Sequence, residues 1–214
     1  MLVGLFSLIT VPAYAQGDED ALAAEVVRAL DELKSTGTLS VQARENLKNH
    51  PEIAAQVPDP DKKIIESVDS PRVDAATPDG ADAAILAMTD VAIPASAGAR
   101  GCWITDYNIR QQSLLGSTLF RFHQQIHWCA DGVSVTSTHV RYHHLTDTST
   151  VVNFRSLTAN TVNPVPAGYV ESYMQGQIDL CVLKYGCYAT YYPWVKIKMW
   201  GNGTQAGEWG GASN

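Results

Sequence analysis

The chain has 214 residues, 45% of them apolar and only 17% charged, with a formal net charge of −7. That length fits one good-sized domain, or a smaller one with an appendage. A nucleic-acid partner is excluded, because such a site needs a concentrated basic patch. The low charge fraction is ordinary for an exported β-rich protein.

Residues 1–15, MLVGLFSLITVPAYA, are apolar, uncharged and closed by Ala13-Tyr14-Ala15. The run is too short to span a bilayer and reads as a secretory signal peptide, although no Lys or Arg precedes it. No other stretch approaches a membrane span. A secreted, extracellular protein that is not an integral membrane protein is therefore expected.

Residues 16–68 read as an acidic helical segment. Within DALAAEVVRALDELK (20–34), Leu22, Val26, Val27, Leu30 and Leu33 share one face, and Gly37 stops the helix. Ser40 caps a second helix over 40–50, and Pro51 suits the first turn of a third. Asp59-Pro60 reads as another cap-and-start, before KKIIESV. Such helices have little area to bury, so they need a partner surface. Residues 69–100 read as a linker or arm, Pro/Asp/Ala-rich at first and apolar afterwards.

Composition changes near residue 100. Residues 16–100 hold no Phe, Tyr or Trp and carry sixteen acidic against eight basic residues. Residues 101–214 hold all five Trp, all four Cys and six acidic against seven basic residues. Strand-like runs near 102–110, 117–129, 133–145, 149–157, 168–182 and 188–200 are separated by turn signals such as Ala130-Asp131-Gly132 and Asn202-Gly203. They predict an all-β antiparallel sandwich, or a small barrel, of about six or seven strands. In YYPWVKIKMW (191–200), alternation turns Val195, Ile197 and Met199 to the core, and Tyr192, Trp194, Lys196, Lys198 and Trp200 to the other face. Asn202-Gly203-Thr204 matches a glycosylation pattern but reads better as a hairpin turn.

An even cysteine count in an oxidising compartment suggests disulfides. Of three connectivities, Cys102–Cys129 with Cys181–Cys187 joins nearest neighbours in sequence. The wide first spacing argues against a four-cysteine zinc site.

Residues 118–144, TLFRFHQQIHWCADGVSVTSTHVRYHH, hold five of the six histidines. A three-residue loop at 130–132 would pair Cys129 with Val133. That register sets Phe120 opposite Tyr142, Phe122 opposite Val140 and Ile126 opposite Thr136 on a core face. Arg121, His123, Gln125, His127, His139 and Arg141 would take the other face, with His123 opposite His139. His127 is then about 13 Å along the strand from His123, too far to share an ion, and neither strand supplies a carboxylate. No metal and no cofactor is expected. What remains is a polar face suited to an anionic ligand or to sensing pH, with His123, His139 and Arg141 as candidate ligand contacts.

There is no G-x-S-x-G elbow and no H-E-x-x-H, so no catalytic residue is assigned. Glu171 with Glu208, or with Asp179, could form a glycosidase pair. Aromatics crowd the C-terminal third, and Tyr192, Trp194 and Trp200 are the candidate ligand-stacking residues.

The order Gly101-Cys102-Trp103, then LLGSTLFRFHQQIHWCADG, then QGQIDLCVLKYGCYATYYPWVKIKMWGNGT resembles an uncharacterised family of small exported bacterial proteins. The resemblance covers residues 101–204 and implies export, two disulfides and a β-sandwich; it carries over no activity and no catalytic residue. The expected function is a secreted, non-enzymatic binding module for an extracellular glycan, a cell-envelope component or a protein. A secreted hydrolase using the His-rich face, and an antagonistic toxin or inhibitor component, are the alternatives.

Overall fold

The computed structural model describes residues 16–68, 72–73, 100–182 and 185–213. The expected signal peptide (1–15) and most of the expected linker (69–100) lie outside the described residues. Among the described residues, helices α1 (Gln16–Thr36), α2 (Val41–Lys48) and α3 (Pro51–Ala54) precede nine strands. The first sheet is built from β1 (Pro58–Val68), β3 (Gly101–Ser113), β4 (Thr118–Ala130) and β5 (Val135–Thr146) in the order β1-β3-β4-β5, with the short β2 (Arg72–Val73) beside β3. The second contains β6 (Val152–Val162), β7 (Tyr169–Val182), β8 (Gly186–Trp200) and β9 (Gln205–Ser213) in sequential order. All pairings are antiparallel, and the expected all-β sandwich is present. Among the described residues, no helix is long and apolar enough to cross a membrane.

Alternating positions face inward, as strand geometry requires. Phe120, Phe122, Ile126 and Trp128 of β4 meet Val170, Met174, Ile178 and Leu180 of β7 and Val195, Ile197 and Met199 of β8 in one buried core. Trp128 stacks on Trp103 with ring centroids 4.6 Å apart, and its indole N–H donates to Thr105 Oγ1 at 2.8 Å, so the buried polar atom is satisfied. Both expected disulfides form: Cys102–Cys129 joins β3 to β4, and Cys181–Cys187 joins β7 to β8.

The helices find their partner surface on this core. Val26, Ala29, Leu30 and Leu33 of α1 are buried at helical spacing, while Val27, expected on the same face, is 42% exposed. Ser40 caps α2 by accepting from the Ala43 N–H at 3.2 Å, and Pro51 opens α3. Leu47, Ile53 and Val57 complete a packing surface continuous with the sandwich, and the Tyr188 hydroxyl donates to the Gln56 carbonyl at 3.3 Å.

The stretch KKIIESV is strand, not the helix read from Asp59-Pro60. Asp59 is buried and held by Arg44 of α2 at 2.8 Å, with Asp61 on the same guanidinium at 2.6 Å. The Gln111 side-chain amide donates to the Asp59 carbonyl at 2.9 Å. These contacts start the chain along the open edge of β3, where backbone pairing outweighs a local helix signal.

Candidate functional site

The β4–β5 hairpin differs from the expected register. Ala130 pairs with Val135, leaving four loop residues in place of the expected tighter turn, and the pairing shifts again around His127. Asp131 stabilises the wider loop, its carboxylate accepting from the N–H groups of Val133 (2.9 Å) and Ser134 (2.8 Å). Beyond that second shift the net offset is odd, so β5 from Val140 onward is turned over relative to the expectation, while Ser137 and His139 keep their expected face. His123 faces His144, not His139. Val140 and Tyr142, expected in the core, are 57% and 40% exposed. Phe120, Phe122 and Ile126 do lie in the core.

Arg141, expected on the outer face, turns inward opposite the buried Ile126. Its guanidinium donates to Ser172 Oγ (3.0 Å) and to the Thr161 carbonyl (2.8 Å), tying β5 to the second sheet. His139 stays outside and exposed, 3.0 Å from Ser137 Oγ and 3.9 Å from the Cys129 sulfur.

The corrected register assembles a group that the sequence reading did not bring together. His123, only 7% exposed, has its Nδ1 3.0 Å from Asp106 Oδ1 and its Nε2 2.9 Å from Thr146 Oγ1. Since the carboxylate only accepts, Nδ1–H donates to Asp106, and Nε2 shares its hydrogen bond with the Thr146 hydroxyl. His144 stacks on His123 with ring centroids 4.2 Å apart. Nitrogens of the two histidines and an Asp106 oxygen all lie within 4.8 Å of one another. His144 Nδ1 is buried with no hydrogen-bond partner, and so is Oδ1 of Asn108, which pairs with His123 across β3 and β4. Tyr142 leans on His144 at 5.7 Å, its hydroxyl bonded to Gln125.

Burial holds the imidazoles of His127, His143 and His144 below the usual histidine range; the neighbouring His123 adds to this at His144, against the opposing pull of Asp106. His143 packs between Phe122 and Phe154, at 6.2 and 5.0 Å. A depressed folded-state value means that the unfolded chain binds protons first as pH falls. Stability is thus full above about pH 6.5 and declines as the pH drops from there toward the depressed folded values. Thermal melts at pH 7.5 and 5.0 should show a lower midpoint at pH 5.0, and a smaller difference in His143→Phe. Identical midpoints in the wild-type chain would refute this.

The outer face of the second sheet follows the predicted alternation. Val195, Ile197 and Met199 are buried, and Tyr192, Trp194, Lys196, Lys198 and Trp200 lie on the opposite, partly exposed face. Two tilted aromatic pairs flank it: Tyr169 with Trp200 at 5.3 Å, and Tyr173 with Trp194 at 5.7 Å. Between them runs a charged row. Lys196 lies 3.6 Å from Glu171 and 3.7 Å from Glu208, and Lys198 is ion-paired to Glu208. Gly210 of β9 opposes Trp194, and a Cβ there would come within 2.6 Å of the indole. The ring therefore rests on bare backbone.

Glu171 and Glu208 both flank Lys196. The Lys198 hydrogen bond, with the lysine charges, holds the Glu208 carboxyl below its usual range. An ionised, lysine-paired Glu208 is suited to holding a ligand and unsuited to general-acid catalysis, which needs a raised value. Asp179 is engaged elsewhere, by Arg155 at 2.6 Å and Thr190 at 3.0 Å.

No protein-family model, curated protein or solved structure matches the chain.

Proposed function

We propose that the protein is an exported, non-enzymatic binding module that holds an extended glycan of the extracellular space or cell envelope across the outer face of the second sheet. The observation that carries this reading is the pair of aromatic platforms, Tyr173–Trp194 and Tyr169–Trp200, at either end of a charged row. Trp194 and Trp200 are six positions apart on one strand, roughly 20 Å. A chain-like ligand can stack on both ends at once while Lys196, Lys198, Glu171 and Glu208 meet hydroxyls between them. The rigid sheet fixes this geometry in advance, which lowers the entropic cost of binding. Two disulfides fit an oxidising compartment, in keeping with export.

The test is retention of the mature chain on a glycan array and on insoluble polysaccharides. Trp194→Ala and Trp200→Ala should each weaken binding about tenfold, the equivalent of roughly 1.4 kcal/mol. His139→Gln, on the other sheet, should not. Absence of glycan retention, or retention unchanged in the double tryptophan variant, would overturn the assignment.

A further inference from the structure

We propose that Asp106, His123 and His144 form a binding site for one divalent transition-metal ion of the zinc class, on the sheet face opposite the aromatic surface. The site is independent of the glycan reading. The donor set is two imidazoles and one carboxylate, with ligand atoms within 4.8 Å of one another. An ion at 2.0–2.2 Å from each ligand can be held by atoms so placed once the stacked His123 and His144 rings rotate to turn one nitrogen each toward it, and two nitrogens with one oxygen suit zinc-class ions over calcium or magnesium, which favour all-oxygen shells. Three protein ligands leave a further position for water or a bound group.

Two further observations point the same way. His144 Nδ1 is shielded from solvent and has no hydrogen-bond partner, an arrangement that costs free energy unless something is bound there. Asn108, 2% exposed, carries a second partnerless oxygen one strand over from His123.

Thr146 Oγ1 lies 2.9 Å from His123 Nε2, where it can fix the ring as the outer partner of a metal-bound histidine usually does.

The experiment is isothermal titration of the untagged full-length chain with Zn²⁺ after chelator treatment. One equivalent should bind. Mg²⁺ and Ca²⁺ should not compete. His144→Gln and Asp106→Asn should each weaken Zn²⁺ binding by on the order of 10–100-fold or more. His139→Gln should leave it unchanged. Because the buried variants can perturb folding, Co²⁺ added to the wild-type chain provides a second readout. The His123 and His144 ring signals should broaden or shift most in the NMR spectrum, with those of His139 least affected. No stoichiometric binding, binding lost in His139→Gln but kept in His144→Gln, or a Co²⁺ effect centred on His139 would each overturn the site.

Discussion

Truncation to residues 58–214 is expected to abolish cooperative unfolding of the sandwich. The three helices carry Val26, Leu30, Leu33, Leu47, Ile53 and Val57 with the segment that follows them, all within a few per cent of full burial and all in the same core as the two sheets. Each large side chain contributes roughly 1.5–3 kcal/mol by leaving water, and a domain's whole margin is only about 5–15 kcal/mol. Removing the segment also exposes the β8 side of the core, strips Arg44 from the buried Asp59 carboxylate, and takes the Gln56 carbonyl from Tyr188. Leaving one partner of a buried ion pair uncompensated costs about 3–5 kcal/mol by itself. Urea titration followed by tryptophan fluorescence should give a broad, non-cooperative change for the truncated chain. The milder Leu47→Ala should keep a cooperative transition at a midpoint lowered by about 2–5 kcal/mol of stability. A truncated chain that unfolds cooperatively at the full-length midpoint would show the helices to be a dispensable leader. On the present packing, a maturation cut within 27–57 would remove part of the core.

Gly201→Ala is expected to be strongly destabilising. Gly201 follows β8, and its N–H donates to the Gly168 carbonyl at 3.0 Å. A Cβ at Gly201 would overlap the backbone of Val133 and Ser134, in the loop that joins β4 to β5. Backbone has no rotamer with which to yield, so the loop must lift. The Val135–Ala167 bridge, with hydrogen bonds of 2.7 and 3.1 Å, would be strained or lost with it. The loss should reach about 3 kcal/mol, the upper part of the overpacking range. Gly168→Ala is the matched control, because its Cβ would sit 3.8 Å from the Val133 oxygen, an ordinary contact. Equal midpoints for the two variants would mean that the loop does not rest on Gly201.

What the sequence made legible follows from where its signals are local. The alternation in 191–200, the Ser40 cap, Pro51 at a helix start and the cysteine neighbours each depend on a few adjacent residues, and each is found in the structure. The edge strand at 58–68 was hidden because its stabilising partner, β3, lies some forty residues further along the chain. The hairpin register departed at the loop, since Asp131 supports a four-residue loop as readily as a shorter one, and again at the irregularities beside Ala130 and around His127. Period-two geometry turned the last of these shifts into an inverted far half of β5. Asp106 was passed over because it sits on a third strand. Counting back from the Cys102–Cys129 pair would have placed it beside Gln125 and set Asn108 against His123. For the aromatic face, one strand carried the necessary information, so Tyr192, Trp194 and Trp200 emerged together, whereas Tyr169 and Tyr173 required the β7–β8 pairing.

The two sheets also differ in how they can assemble. β6 to β9 follow one another in both chain and space, and β3 to β5 do likewise, so most pairings close loops of a few residues. Each disulfide lies inside one such hairpin and neither crosses between layers. Short loops are cheap to close, and contacts near in sequence form early. Each meander therefore has the means to form alone, as a half-sandwich with one raw apolar face. The late events are the ones that span the chain: adding β1 to the far edge of β3, and seating the helices against β8. Until those steps finish, the β3 edge and the inner faces stay open to other chains, and it is during this interval, rather than in the finished fold, that the protein is most exposed to aggregation.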